Sequence, residues 1–146
     1  MQELFSNAIY LQDSSVTIEG IKIYGSPYVE NMSDMPGENK EFMLRYDNRY
    51  FYRNTSELEV LFGKIEEDTN ILITHTPPHG VLDGMLHFGS KELTKRISQL
   101  KQLKVNTFGH VHMGYGIKKV DHVTYINAAS DGDEQPIYFD YVIPTQ

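Results

Sequence analysis

The chain contains no cysteine. That removes disulfides and thiolate metal sites, and it fits a reducing compartment without proving one. Basic residues are also scarce: 13 Lys and Arg stand against 20 Asp and Glu, for a formal net charge of −7. Nucleic-acid binding needs a basic face to neutralise phosphates, so nucleic acid is not an expected partner. No stretch reaches the roughly 18 apolar residues of a membrane span. The amino terminus shows no basic patch followed by an apolar stretch, so no signal peptide is read there. No membrane association is expected, and the cytoplasm is the default compartment. The first half of the chain also lacks any Asp-x-His, Gly-Asp or Asn-His motif. A metal site built on this chain therefore begins without an acidic block.

What remains is ordinary globular material. The chain has 146 residues, 40% of them apolar and 23% charged, which suits one domain over residues 1–146 with an adequate core. Residues 8 to 24 read as a β-hairpin, with Leu11, Val16, Ile18, Ile21 and Ile23 apolar. Turns are expected at Asp13-Ser14-Ser15 and Glu19-Gly20, and Gly25-Ser26-Pro27 ends the second strand. A polar loop is expected from Glu30 to Lys40, around Pro36-Gly37. Phe42 to Tyr52 fits either a hairpin turning at Asp47-Asn48 or an irregular loop. Ser56 with Glu59 makes a capping-box pattern, and Leu58, Leu61, Phe62 and Ile65 follow at helical spacing.

The short run Ile71-Leu72-Ile73 reads as a strand buried on both faces. A second helix is expected from about Ser90 to Leu103, with Leu93, Ile97 and Leu100 inward and Lys91, Glu92, Lys95, Arg96 and Lys101 outward. Val105 to Phe108 follows as a strand. Strand, helix, strand over residues 71 to 110 is a βαβ crossover, right-handed by default. Tyr115 to Val120 and Val123 to Ile126 are expected to pair across Asp121-His122, and Pro136 to Val142 to form a last strand.

Two histidine motifs end the two central strands: Thr74-His75-Thr76-Pro77-Pro78-His79-Gly80 and Gly109-His110-Val111-His112. Imidazole is the commonest protein metal ligand, and ligands bind at the carboxyl edge of α/β sheets. His75 leaves an apolar strand, where an unpartnered polar group is costly, and Pro77-Pro78 stiffen the chain after it. His110 and His112 share a face if the segment stays extended. These three are the candidate metal ligands. His79 is a candidate substrate contact, although a structural or solvent-facing role competes with it. His87 and His122 read as surface residues.

At these residues the chain resembles a known family. The two histidine motifs, followed by Ile126-Asn127-Ala128-Ala129-Ser130, resemble the closing blocks of calcineurin-like metallophosphoesterases. Tyr10-Leu11-Gln12-Asp13-Ser14 and Ile18-Glu19-Gly20-Ile21-Lys22-Ile23-Tyr24-Gly25-Ser26-Pro27 resemble the metallophosphoesterase-domain-containing branch. The resemblance runs from about residue 4 to the end.

It implies an α/β sandwich of two mixed sheets flanked by helices, here lacking its first strands. It also implies two divalent metals, manganese, iron or zinc, that hold a phosphate and activate water. By resemblance His75 and His110 bind one metal and His112 the other. The substrate implied is a phosphomonoester or phosphodiester small molecule, with cyclic nucleotides included.

The family's three opening blocks have no match, so the expectation is a carboxyl-terminal part of the domain holding at most one cation. Two dications carry four positive charges, and neutral imidazoles offset none of them. Asp83, Asp131 and Asp133 lie near the motif loops and read as solvated loop acids. With the opening strands absent, an uncovered sheet edge and apolar face are expected, prone to self-association or to pairing with a separate first half. Two other readings stay open. One is a non-catalytic binding or scaffold module. The other is a mononuclear zinc hydrolase using His75, His110 and His112 with a water.

Overall fold

A computed structural model describes residues 6–31 and 51–142. The chain opens with a β-hairpin, β1 (Ser14–Ile18) and β2 (Ile21–Ser26), paired antiparallel across Glu19-Gly20. Both turn residues take left-handed φ, 52° and 81°, and a glycine at the second adopts it without strain. Ser14 and Ser15 are already in the strand rather than in the turn before it. Two short strands, β3 (Val29–Glu30) and β4 (Tyr52–Arg53), pair parallel. Most of the polar loop and of the aromatic stretch expected between them lies outside the described residues.

Helix α1 spans Thr55–Gly63, and its cap is Asn54, not Ser56. The Asn54 carboxamide accepts the Glu57 N–H at 2.9 Å, and the Glu57 carboxylate accepts the Asn54 N–H at 3.0 Å. This is the expected capping box moved two residues toward the amino terminus. Asn is as good a cap as Ser, and the earlier start adds half a turn of helix. Strand β5 (Ile71–Thr74) follows, then helix α2 (Lys91–Ile97), capped by Ser90. That helix stops short of the expected Leu103. Leu100 and Leu103 are buried all the same, carried inward by successive turns after Ile97. Strands β6 (Val105–Phe108), β7 (Gly116–Val120) and β8 (Val123–Asn127) complete the main sheet.

The main sheet has six strands in the order β1-β2-β5-β6-β8-β7. The four central strands run parallel, and the edge strands β1 and β7 run antiparallel to their neighbours. The fold is thus α/β, with one large mixed sheet, a two-stranded parallel pair and two α-helices among the described residues. The expected last strand at 136–142 does not form: this segment pairs with no strand, and Tyr138 and Val142 are 84% and 85% exposed. No described helix is long and apolar enough to cross a membrane.

The two faces of the sheet differ. Tyr24, Leu72, Phe108, Val123 and Tyr125 join Leu58, Phe62, Ile65, Leu93, Ile97, Leu100 and Leu103 in one core under the helices. The other face carries the register row Gly25, Ile73, Thr107, Ile126, Ile117, with Ile23, Ile71 and Val105 beside it. Ile73 is 43% exposed and Ile117 54%. Strand β5 is therefore buried on one face only, which corrects the expectation of burial on both. The apolar composition of Ile71-Leu72-Ile73 is right for a covered strand, but the Ile73 side is covered only in part: Val105, Ile126 and Gly25 on that face are buried, Gly25 against Leu11, while Ile73 stays exposed.

The asymmetry is measurable. Leu72→Ala should cost about 2–5 kcal/mol in denaturant unfolding, as a fully buried leucine does. Ile73→Ala should cost under about 1 kcal/mol, because its side chain already meets water. Equal losses at the two positions would mean that the outer face is covered in solution.

Candidate metal centre

Parallel pairing sets the position of both histidine motifs. Strand β5 pairs with β6 in the register Ile71 to Val105, Leu72 to Asn106 and Ile73 to Thr107. The ladder continues past both strand ends, with the Gly109 N–H bonded to the His75 carbonyl at 3.2 Å and the His75 N–H to the Ser26 carbonyl at 3.3 Å. His75 and His110 therefore leave the sheet at the same rim. There the His75 Nε2 and the His110 Nδ1 stand 3.0 Å apart.

That separation fits two ligands of one cation. Metal–nitrogen bonds of about 2.0–2.1 Å place neighbouring donor atoms roughly 3 Å apart. Both rings also suit the neutral form that a metal requires. Burial lowers the His75 pKa below the ordinary imidazole value. Burial first, then the nearby His75 and His112 rings, lower that of His110 to about 4. In the metal-free chain the 3.0 Å contact has one ring nitrogen donating to the other. Among the described residues no set of three or more histidines and acidic groups is arranged to hold a metal ion.

His112 is placed differently from the expectation of an extended segment. His110 adopts a left-handed backbone, φ 68°, and His112 opens a short 3-10 turn, His112–Gly114. The segment is therefore not the extended strand on which the two were expected to share a face. The His112 Nδ1 contacts the Asp131 Oδ1 at 2.5 Å.

His79 lies beside His87, ring centroids 5.4 Å apart, and makes no contact with the His75–His110 pair. His122 is exposed, as expected. His87 is exposed too, but its Nδ1 bonds to Asp83 at 3.2 Å.

Asp83 overturns the expectation of a solvated loop acid. It is 3% exposed. One carboxylate oxygen accepts the Gly80 N–H at 2.8 Å and the Gly89 N–H at 3.3 Å, and the other meets His87. It closes the neck of the loop that follows the first motif. Gly89 sits against Pro78 so tightly that a Cβ would lie 2.5 Å from the Pro78 carbonyl oxygen, so only glycine fits. Burial opposes ionisation of Asp83, but the Gly80 N–H, the His87 ring and the Gly89 N–H outweigh it and lower the pKa. Asp131 and Asp133 are both exposed, as expected of solvated loop acids, although Asp131 also contacts His112.

The anchoring role of Asn127 was not read from the sequence, although the residue lies in the Ile126–Ser130 motif. Asn127 is fully buried at the end of β8. Its amide nitrogen donates to the Leu82 carbonyl at 2.9 Å and the Val111 carbonyl at 2.8 Å, and its oxygen accepts the Ala129 N–H at 2.9 Å. Three rim loops are thereby fixed to one side chain. The sequence signal is the Ile126–Ser130 motif and an Asn after an apolar strand, and neither shows that the side chain is turned inward. On the outer face, Ile9, Tyr10, Leu11, Pro27, Ile73 and His75 border an apolar cleft of about 350 Å³. His75 thus stands next to the partly covered side of the sheet.

Comparison with known proteins was made against this geometry. No family model matches the chain. The UPF0046 protein K07C11.7 of Caenorhabditis elegans is 37% identical over 129 residues, covering 86% of this chain and 39% of that protein. Metallophosphoesterase domain-containing protein 1 of Homo sapiens is 36% identical over 139 residues, covering 88% of this chain and 37% of that protein. The chain thus spans about two fifths of the length of these relatives. A solved crystal structure aligns over 82% of this chain and 45% of its own, with a TM-score of 0.55 and 20% identity. That likeness shows the fold alone.

Two outcomes follow from the buried polar groups. Asn127→Ala leaves the Leu82 carbonyl and the Ala129 N–H without their partner, while the Val111 carbonyl keeps the Gly114 N–H, and should cost about 2–4 kcal/mol. Loss of protection at the Ala129 amide in hydrogen exchange would accompany it. Asp83, with its lowered pKa, contributes stability that is present above the ordinary carboxylate range and lost as pH falls through its own pKa. Melting curves from pH 7 to pH 3 should therefore drop less steeply for Asp83→Asn, from a lower starting Tm.

Proposed function

The chain belongs to the metallophosphoesterase-domain family, and from that premise we propose that its histidine rim serves metal-dependent hydrolysis of phosphoesters. The observation that carries this reading is the 3.0 Å approach of the His75 Nε2 to the His110 Nδ1 at the carboxyl edge of a parallel sheet. These two nitrogens hold one divalent cation, manganese, iron or zinc, and His112 faces a second in the complete domain. A bound cation at this rim polarises a phosphoryl oxygen and lowers the pKa of its water.

The remaining work belongs to the chain itself. Thr76, Pro77 and Pro78 are buried behind His75 and keep its backbone fixed. The Gly109–His75 hydrogen bond sets the distance between the two ligand loops. The substrate class is a phosphomonoester or phosphodiester small molecule, cyclic nucleotides included. Within the described residues only neutral imidazoles face the cation position, so full assembly draws acidic ligands from elsewhere. The 146 residues alone bind one cation weakly and turn over little.

Titration of the isolated chain with Zn²⁺ or Co²⁺ tests the ligand pair. About one site per chain is expected, weakened at least tenfold by His75→Ala. Absence of binding at micromolar metal would end the reading. In an assay with a nitrophenyl phosphodiester and Mn²⁺, the isolated chain should show no more than trace turnover. Robust activity abolished by His75→Ala would show that the chain's own residues complete the site.

A second reading has one observation in its favour. The exposed isoleucines of the outer face suit a binding or scaffold module that uses this surface for contact. Such a module would self-associate or capture a separate domain segment without holding metal.

A further inference from the structure

Asn106 stands inside β6 with no exposure, in one register row with Leu72 and Tyr125. Those two neighbours belong to the core under the helices. A leucine would pack at this place without any polar cost. The Asn106 Oδ1 is buried and meets no donor among the described residues, and a buried acceptor left unpaired costs stability. The reason for a carboxamide here lies at its other end.

The Asn106 Nδ2 donates across to β5, to the Leu72 carbonyl at 3.1 Å and to the Thr74 Oγ1 at 3.4 Å. The Thr74 hydroxyl in turn donates to the Thr76 carbonyl at 2.8 Å. Thr74 and Thr76 are 5% and 1% exposed, so both groups lie away from water. This last bond spans His75, from the residue before it to the residue after it. Thr76 is confined further by Pro77, which keeps the residue before it extended. The ladder bonds at His75 itself are long: 3.3 Å from its N–H to the Ser26 carbonyl, and 3.2 Å from the Gly109 N–H to its carbonyl. Of these three ties the hydroxyl bond is the shortest.

We propose that Thr74, with its hydroxyl held in line by Asn106, is the positioning residue of His75. It fixes the backbone where β5 becomes loop, and so brings the His75 ring to its 3.0 Å approach to His110. Threonine hydroxyls redirect the chain through such local bonds to backbone carbonyls. A donor on the hydroxyl oxygen leaves its proton one acceptor to serve, and the linked bonds strengthen one another. Without the hydroxyl, the buried Thr76 carbonyl has to turn toward another donor, and the exit of His75 turns with it. That the two rings serve phosphoesters rests on the reading given under Proposed function; the placement of His75 does not.

NMR of the full chain without metal tests the placement apart from any cation. The wild type should show a nuclear Overhauser contact between the His75 and His110 rings, whose centroids lie 4.8 Å apart. Its Gly109 amide, bonded to the His75 carbonyl, should exchange slowly. Thr74→Val keeps the shape and removes the hydroxyl. It should abolish the ring contact and speed Gly109 exchange about tenfold, the protection of one hydrogen bond. Exchange at Asn106 and Thr107, inside β6, should change by no more than about twofold. Thr74→Ser, which returns the hydroxyl, should restore both signals.

Asn106→Leu separates positioning from stability. With the unpaired oxygen gone, Tm should hold or rise, while Gly109 still exchanges faster than in the wild type. A Thr74→Val chain that keeps the ring contact and the Gly109 protection would overturn the proposal. So would one that fails to fold, one whose protection falls equally across β5 and β6, or a Thr74→Ser chain that restores nothing, since the hydroxyl would then serve stability alone. A Gly109 amide indifferent to Asn106→Leu would overturn the part given to Asn106. A wild-type chain that binds no zinc leaves these outcomes standing, so the two readings fail separately.

Discussion

The buried carboxamide of Asn127 is the constraint on which the rim of this molecule depends. A polar side chain with no exposure is tolerated only when its donors and acceptor are satisfied, and here all are used on backbone groups of three different loops. Parallel register brings His75 and His110 to one edge, but register stops where the strands stop. Beyond that point the chain has no ladder to follow. Asn127 supplies the missing fixation: it stops the loop after the first motif from drifting away from the turn that carries His112. The segment that ends in Asp131 is pinned by the same group.

Much of this architecture was legible in the sequence, and the reasons are local. The β1–β2 hairpin announced itself through alternating isoleucines around Glu19-Gly20. The β5-α2-β6 unit did so through two short apolar runs and an amphipathic stretch between them. The placement of His75 and His110 at one rim followed from that unit alone. Helix ends were less legible, because Asn54 and Ser56 are both competent caps and only the path of the preceding chain decides between them.

The polar anchors were not legible at all. Asp83 looks in sequence like any acid in a loop. Whether such a group is buried depends on where distant N–H groups and rings arrive, and periodicity carries no information about that. The one-sided burial of β5 was misread for a related reason: apolar composition records what a face is suited to, not what stands against it.

Charge organises the chemistry. The imidazoles 3.0 Å apart are both shifted toward the neutral form, His75 by burial alone and His110 by burial and then by the neighbouring His75 and His112 rings. That state suits a cation but does nothing to balance it. Hard divalent ions favour oxygen donors, and the acids that the described chain places near the rim are spent on backbone N–H groups and on other histidines. The similarity to proteins of more than twice this length agrees with that imbalance.

The strand order also has a kinetic side. β5, β6, β8 and β7 are neighbours in space and lie in one contiguous stretch of chain, whereas β2 reaches β5 only across the longest connection in the sheet. Closing a longer loop costs more entropy before any contact repays it. The half of the sheet that carries both imidazoles is thus the half whose assembly is entropically cheapest, and the hairpin is the piece that must find an edge already formed.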